Sequence, residues 1–349
     1  MVSCLIMKKK KSVLPEAGIA SQTFVFRLIV NVLIMTAVSV SVAVGQTVRL
    51  AFYNVENYFD YEDDPGKDDS SFLPESPRQW TASLYRRKSR RIYKVIANLG
   101  NPEPPALVGL AEIENRRALD DLRCRTALAR VRYQVVHFES PDRRGIDVAL
   151  LFRPQSFRLI NAKALPVKGQ DWRSRDILYA SGTLPGGDTL HVYVNHWPSR
   201  WAGQKASEPR RLVASEILRK HVSALLFQNP KAKIVIMGDF NDDPENLSIT
   251  KLQAGLPVPL ANLMVNDLAE GRGTHTHTET ATEWSVLDQI LVSRSLMEGS
   301  SWKVLKRASH IFSPDWLLRD GKPYRFFRGT MATGGFSDHL PVFLDIKRQ

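Results

Sequence analysis

The chain has 349 residues, of which 43% are hydrophobic and 24% are charged. This composition is typical of a globular protein with a large buried core, and the lack of internal repeats or low-complexity tracts excludes a solenoid or a disordered chain. The formal net charge of +12 favours an anionic partner, such as nucleic acid or a phosphorylated surface.

The N-terminal segment has the pattern of an export signal. A basic run, Lys8–Lys11, precedes an apolar segment over 28–44, and Ala43 and Gly45 are small residues at the spacing of a signal-peptidase site. We therefore expect residues 1–45 to be removed on export to the periplasm or the extracellular space. The alternative is a membrane anchor formed by 28–44, because that segment is nearly long enough to span a bilayer.

The two cysteines limit covalent stabilisation. Cys4 lies in the predicted leader, so the mature chain keeps only Cys124 and cannot form an intramolecular disulfide. Cys124 lies in an amphipathic stretch with Leu119, Leu122 and Leu128, which predicts a buried structural thiol.

Strand-like segments recur from residue 48 to the end of the chain. The Pro185–Asp188 segment, with two glycines, predicts a hairpin turn. No linker interrupts the pattern, so we predict one domain over residues 46–349. Short apolar or alternating runs predict strands at 48–53, 106–110, 133–138, 147–152, 157–167, 179–184, 189–195, 233–237, 287–292 and 341–346, the last two being the final strands.

Helix-like segments lie between the strands. Apolar residues at helical spacing predict helices over 84–99 and 119–130. A third helix is predicted to begin with Ser207 as its cap and Pro209 in its first turn. Residues 60–80 are acidic and rich in Ser and Pro, and they predict a surface loop.

Polar side chains follow or precede several predicted strands. Strand ends deliver side chains to loops, where catalytic residues are usually found. Carboxylate and amide oxygens are ligands for Mg²⁺, Mn²⁺ or Ca²⁺ rather than zinc, and a histidine beside an aspartate can move a proton. The set contains Asn54, Glu56, Glu112, His196, Asp239, Asn241, Asp288, Asp338 and His339.

Each of these residues also has a purely structural interpretation. Asn54 could end a strand, Gly238–Asn241 could be an Asx turn, and Asp338 with His339 could cap a strand. Their joint occurrence instead indicates metal-assisted attack of water on a phosphoester, a reaction that needs no covalent intermediate.

Six short motifs together resemble the endonuclease/exonuclease/phosphatase superfamily, which includes deoxyribonuclease I and the apurinic endonucleases. The resemblance covers about residues 47–347. It implies an α/β fold of four layers, with two packed mixed β-sheets flanked by helices, and one catalytic domain over 46–349. The motifs are Asn54-Val-Glu56, Leu-Ala-Glu112-Ile-Glu114, Asn-His196-Trp-Pro198, Gly238-Asp-Phe-Asn241, Leu-Asp288-Gln-Ile290 and Ser337-Asp-His-Leu-Pro341.

The resemblance also implies a metal site. Glu112 would be the main ligand, and Asn54 and Asp338 would assist it. Glu56 is a further implied ligand, although relatives carry either an acid or an amide there. The expected ion is Mg²⁺ or Mn²⁺, with Ca²⁺ as an alternative.

The remaining motif residues have implied catalytic roles. Asp239 and Asn241 would orient the attacking water and the phosphate. His339 would contact the phosphate or take a proton while Asp288 holds its ring, and His196 would hydrogen-bond a phosphate oxygen or assist the leaving group.

Two arginines close in sequence to these residues could clamp phosphate, Arg144 and Arg200. The basic chain favours an endonuclease of low sequence specificity, with nucleic acid or another phosphodiester as partner and a monomer as the expected state. Inositol phosphatases carry an arginine just after the aspartate that corresponds to Asp288, and the glutamine Gln289 at that position counts against them. Secreted relatives of deoxyribonuclease I usually carry disulfides, which this chain cannot form, so that group is also disfavoured.

Two alternatives to a nuclease stay open. One is a secreted phospholipid phosphodiesterase similar to the sphingomyelinases, and the other is an exported binding protein without catalysis. Exposed tryptophans would serve a membrane enzyme, and the possible positions are Trp172, Trp197, Trp201 and Trp316.

Overall fold

A computed structural model describes residues 46–349 except 101–102, 202 and 278–282. The predicted leader or anchor over 1–45 therefore lies outside the described residues. Within the part that is described, no helix is both long and apolar enough to cross a membrane. Thr47–Gln349 forms one compact unit.

The apolar runs of the sequence form the strands. All ten predicted strands are present, with ends shifted by a few residues, and shorter strands also occur, most of them between the two predicted as the last. The strands are β1 Thr47–Tyr58, β2 Leu107–Ile113, β3 Gln134–His137, β4 Asp147–Phe152, β5 Arg158–Leu165, β6 Ile177–Thr183, β7 Thr189–His196, β8 Lys233–Asp239, β9 Leu260–Asn262, β10 Asp288–Ser293, β11 Trp302–Val304, β12 Leu318–Arg319, β13 Lys322–Pro323, β14 Phe327–Arg328, β15 Met331–Ala332 and β16 Val342–Arg348.

The longer strands form two six-stranded mixed sheets. The first sheet has the order β11-β16-β1-β2-β4-β3, and the second has the order β5-β6-β7-β8-β10-β9. In each sheet one parallel pair, β1–β2 or β7–β8, lies among antiparallel neighbours. β6 and β7 are antiparallel around Pro185–Asp188, which confirms the predicted hairpin turn.

The two sheets pack face to face on one hydrophobic core. Gly109 of β2 marks the closest approach, because a Cβ there would lie 2.9 Å from Met237 of β8 and 3.1 Å from Val194 of β7. Helices cover the outer faces and complete the α/β sandwich that the resemblance implies. They are α1 Ala82–Asn98, α2 Arg116–Cys124, α3 Gln204–Gln228, α4 Leu247–Gln253, α5 Val265–Ala269 and α6 Arg294–Glu298.

The predicted helix over 119–130 is wrong in its extent. The α-helix ends at Cys124, and a separate 3₁₀ turn covers Ala127–Arg130. Thr126 separates them, because its backbone is extended and its side chain accepts a hydrogen bond from the Leu128 N–H.

Cys124 is exposed, so the prediction of a buried thiol is also wrong. Leu119 and Leu122 are three residues apart and face the core from α2. A residue two positions beyond Leu122 points away from that face because each helical residue turns by about 100°.

Two further local predictions need correction. α3 begins at Gln204 after Gly203, so Ser207 is inside the helix, where its hydroxyl donates to the Gly203 carbonyl, and Pro209 lies beyond the first turn. Residues 60–80 are more than a surface loop, because Phe72 and Trp80 are buried in the core.

We predict that Gly109→Val lowers the free energy of unfolding by about 1–3 kcal/mol, the usual cost of overpacking a close-packed core. Urea unfolding followed by circular dichroism measures the change. Thr189→Val adds an apolar side chain at an exposed position of β7 and should leave stability unchanged. A Gly109→Val protein with parental stability would contradict the close packing of the sheets.

Candidate active site

Both parallel strand pairs and two antiparallel strands meet at one edge of the sandwich. β1 and β2 run to this edge, as do β7 and β8, and their registers place His196 beside Asp239. β10 is antiparallel to β8 and starts there with Asp288, while β16 is antiparallel to β1 and starts just after His339. The topology therefore collects side chains from six strand ends.

His339 and Asp288 form a buried pair at the centre of this edge. Nδ1 of His339 lies 2.7 Å from Oδ2 of Asp288, and Nε2 lies 3.9 Å from Oδ2 of Asp239. Burial alone would lower the pKa of the imidazole, but the Asp288 and Asp239 carboxylates outweigh burial and raise the pKa well above its usual value. The two carboxylates on either side of the ring thus favour the protonated form of His339.

Asp239 is held by both sheets. Its Oδ2 accepts a 3.0 Å hydrogen bond from the Asn54 amide, and its Oδ1 accepts one from the Asn241 N–H. Burial raises the pKa of Asp239 to about 7, with Asp288 adding to the effect and His339 opposing it. The Asn241 side chain donates to the Trp197 carbonyl, which holds the turn after β8 in place.

His196 completes the histidine pair. Its Nε2 lies 3.5 Å from the Asp239 carboxylate, and its Nδ1 is buried without a hydrogen-bond partner among the described residues. Burial, with nearby Arg175 and Arg144, lowers the pKa of His196 well below its usual value. The pKa of one histidine of the site is therefore raised and that of the other is lowered.

Two carboxylates provide oxygen ligands for a cation. Glu112 and Asp338 both line a cavity of about 240 Å³, with side chains 13% and 22% exposed. One oxygen of Glu112 accepts from the Asn57 N–H, and the other lies 3.8 Å from Arg144. Asn54 does not line the cavity, and its amide oxygen accepts a 3.0 Å hydrogen bond from the Glu56 N–H, so the two carboxylates are the oxygen donors that fit a hard divalent cation.

Glu56 does not line this cavity. Its carboxylate accepts from the Phe326 N–H and lies 3.9 Å from the ammonium of Lys88, which is fully buried. Burial and the nearby Asp338 raise the pKa of Glu56 to about 7 against the opposing effect of Lys88. Glu56 therefore lies near Asp338 and Asn54, but its Oε2 faces Lys88 and the Phe326 N–H.

The two predicted phosphate clamps have different surroundings. Both arginines line the cavity, but the Arg200 side chain is only 11% exposed and bonds to Asp242 and Asp243. Arg144 is 43% exposed, donates to the Asn57 side chain and keeps much of its guanidinium accessible. The guanidinium of Arg144 is thus accessible to a phosphate, whereas that of Arg200 already forms ion pairs with carboxylates of the loop after β8.

Two histidines of the cavity were not predicted. His275 and His277 both line it, and the His275 ring centroid is 4.5 Å from that of His339. Nitrogen and oxygen atoms of His275, Asp338 and His339 all lie within 4.8 Å of one another. The alternation Thr-His-Thr-His before Thr278 was the available signal, since it repeats a histidine on one face of an extended segment.

The fold and the site together define the class of protein, a phosphoesterase sandwich with its polar cluster at one edge. A model of the Endonuclease/Exonuclease/phosphatase family matches residues 49–348, so the chain belongs to that family. The family and the fold class implied by the resemblance are confirmed. No curated protein matches the chain significantly.

Several solved structures share the fold. The human Nocturnin catalytic domain with bound sulfate is 17% identical at a TM-score of 0.56, over 88% of this chain and 97% of that chain. Danio rerio TDP2 with a single-strand DNA product is 14% identical with a TM-score of 0.56, and the match covers 86% of this chain and 99% of that chain. A Bacteroides thetaiotaomicron mannosyl-6-phosphatase is 17% identical with a TM-score of 0.56, and the match covers 86% of this chain and 99% of that chain.

We predict that Arg200→Met lowers the free energy of unfolding by about 3 kcal/mol, because it leaves buried Asp242 with one fewer cationic partner. Arg144→Met, the matched control, should change it by less than about 1 kcal/mol because its ion pair is solvated. Urea unfolding of both variants separates the two cases. Equal stability of the two variants would show that Arg200 has no structural role.

Proposed function

We propose that the protein is a divalent-metal-dependent phosphodiesterase in which water attacks the phosphoester directly. The observation that supports this most is the gathering of Glu112, Asp239 and His339 at one cavity, with Asp288 behind the histidine. A purely structural ion-pair network would be closed to solvent, whereas these groups line an open cavity. A non-catalytic binding protein would have no need of this arrangement.

Glu112 and Asp338 would hold the ion. Their hard oxygen donors favour Mg²⁺ or Mn²⁺, and Ca²⁺ satisfies the same preference. When bound, such an ion neutralises phosphate oxygens and stabilises charge on the leaving oxygen. Glu56 has no place in this proposed set, because Lys88 and the Phe326 N–H occupy its carboxylate.

The other residues would act on water and phosphate. Asp239 and Asn241 orient the attacking water, and Asp239 is the carboxylate placed to accept its proton. His339, whose ring is fixed by Asp288 and whose protonated form the neighbouring carboxylates favour, would offer an N–H to the phosphoryl group. His196, whose neutral form is favoured by burial, would donate a hydrogen bond to a phosphate oxygen.

We propose nucleic acid as the substrate class. Arg144 is accessible beside the cavity, and the chain is strongly basic. Of the tryptophans considered for a membrane enzyme, Trp197 is buried and only Trp201 is fully exposed, which disfavours a lipid substrate. Export and a monomeric state belong to the same proposal.

The purified protein should hydrolyse bis-(p-nitrophenyl) phosphate with Mg²⁺ or Mn²⁺. EDTA should abolish the reaction because it removes the cation that Glu112 and Asp338 would bind. Release of nitrophenolate measures the rate. Plasmid DNA, RNA and sphingomyelin tested in parallel identify the substrate class. Failure on all four substrates with either metal would refute the proposed function.

Asp239→Asn and His339→Ala should each reduce kcat by a factor of about 10²–10⁴, because each removes a group that acts on the reacting atoms. Steady-state kinetics on the nitrophenyl diester measure the loss, and circular dichroism verifies the fold. Glu298→Gln removes an exposed charge on α6, which follows the end of β10 away from the site, and should keep the parental rate. A near-parental rate for either site variant would contradict the assigned role.

A further inference from the structure

A second cavity adjoins the one that holds the catalytic cluster. Its volume is about 270 Å³, and it shares Ser199 and Trp201 with the first cavity. The Trp197 carbonyl accepts hydrogen bonds from both Arg175, which lines the second cavity, and Asn241, which lines the first. The wall between the two cavities is therefore a hydrogen-bonded part of the site.

A tryptophan is held in place on the far side of this second cavity. Trp172 lies on a tight loop in which the Gly169 N–H donates to the Trp172 carbonyl at 3.0 Å. The indole packs directly on the Gly169 backbone, since a Cβ at that glycine would lie 2.2 Å from the indole nitrogen. Trp172 is half-buried, so one part of the ring is anchored and another part faces the cavity.

Two arginines at this cavity have no acidic partner among the described residues. Arg175 is paired with Asp142 at 3.1 Å, which neutralises both. Arg173 and Arg210 are exposed, and neither forms an ion pair with a carboxylate anywhere in the described ranges. The Arg210 guanidinium lies 5.6 Å from the centre of the Trp172 ring. The cavity thus combines an aromatic face with uncompensated positive charge.

We propose that this second cavity binds the nucleotide next to the scissile phosphate, with its base against Trp172 and its phosphate near Arg210 and Arg173. An aromatic face accepts any base by stacking, and guanidinium groups bind the phosphate. A base can reach this cavity only when it is unstacked from its neighbours. The protein should therefore prefer single strands or unpaired ends to duplex nucleic acid.

The chemistry of the cavity favours a nucleotide over a lipid surface. Among the described residues, Trp201 is the only large apolar side chain of this cavity that is exposed, and membrane-binding surfaces need a contiguous apolar patch. The two arginines instead match a repeating phosphodiester. This inference rests on the proposed function for the position of the scissile phosphate, but binding can be measured without catalysis.

The test uses fluorescence anisotropy of a short fluorescein-labelled oligothymidylate in EDTA. Arg210→Ala and Trp172→Ala should each raise Kd about tenfold, the usual effect of losing one stacked base or one phosphate contact. Trp172→Phe should restore most of the affinity because it keeps an aromatic face. Arg87→Ala removes an exposed charge from α1 and should leave Kd unchanged. A duplex of the same length should bind more weakly than the single strand.

Activity measurements separate this inference from the proposed function. With Mg²⁺, Arg210→Ala and Trp172→Ala should raise KM for the oligonucleotide and leave its kcat near the parental value, whereas Arg87→Ala should change neither. Parental Kd values for both variants, or equal affinity for single strand and duplex, would overturn the inference even if the diester is hydrolysed. Binding of the same variants to sphingomyelin vesicles is measured alongside. If Arg210→Ala and Trp172→Ala lose vesicle binding but keep the parental affinity for the oligonucleotide, the inference is overturned in favour of lipid. Inactivity towards the diester would instead refute the proposed function.

Discussion

Buried polar contacts between the two sheets hold the active-site edge together. The Asn54 amide of β1 donates to Asp239 of β8 at 3.0 Å, and Asp288 of β10 pairs at 2.7 Å with His339, just before β16. Isolated charges at these depths would be costly, so each must keep its partner across the sheet interface. The apolar core supplies the packing energy, and these contacts determine how the two edges align.

The positions of the site residues follow from the two parallel strand pairs. A parallel pair ends at the same edge on both strands, and the antiparallel β10 and β16 begin at that edge. The backbone also adopts the left-handed region at four residues at or just beyond the strand ends of this edge, at a cost of about 1–3 kcal/mol each. These residues are Glu56, Asn57, Glu112 and Asn241.

The alternation of strands and helices was predictable because it depends on local patterns, whereas the sandwich of two sheets was implied by the family resemblance. Apolar runs between polar strand ends were enough to indicate ten strands and a single domain. Errors arose where one residue changed the local geometry, as when the helix ended at Cys124 and the extended Thr126 turned the chain into a separate 3₁₀ turn. Periodicity averages over a window and cannot register such a single hydrogen bond.

For the candidate site, the sequence by itself determined the chemical types: carboxylates, amides and histidines at strand ends, in the order typical of one family. Only the tertiary structure decided which of these face a common cavity. Glu56 turns to buried Lys88, Arg200 is occupied by Asp242 and Asp243, and His275 joins from a segment that no motif included. The direction of a buried charged side chain depends on partners distant in sequence, because an unpaired buried charge is costly and the side chain therefore points towards an opposite charge.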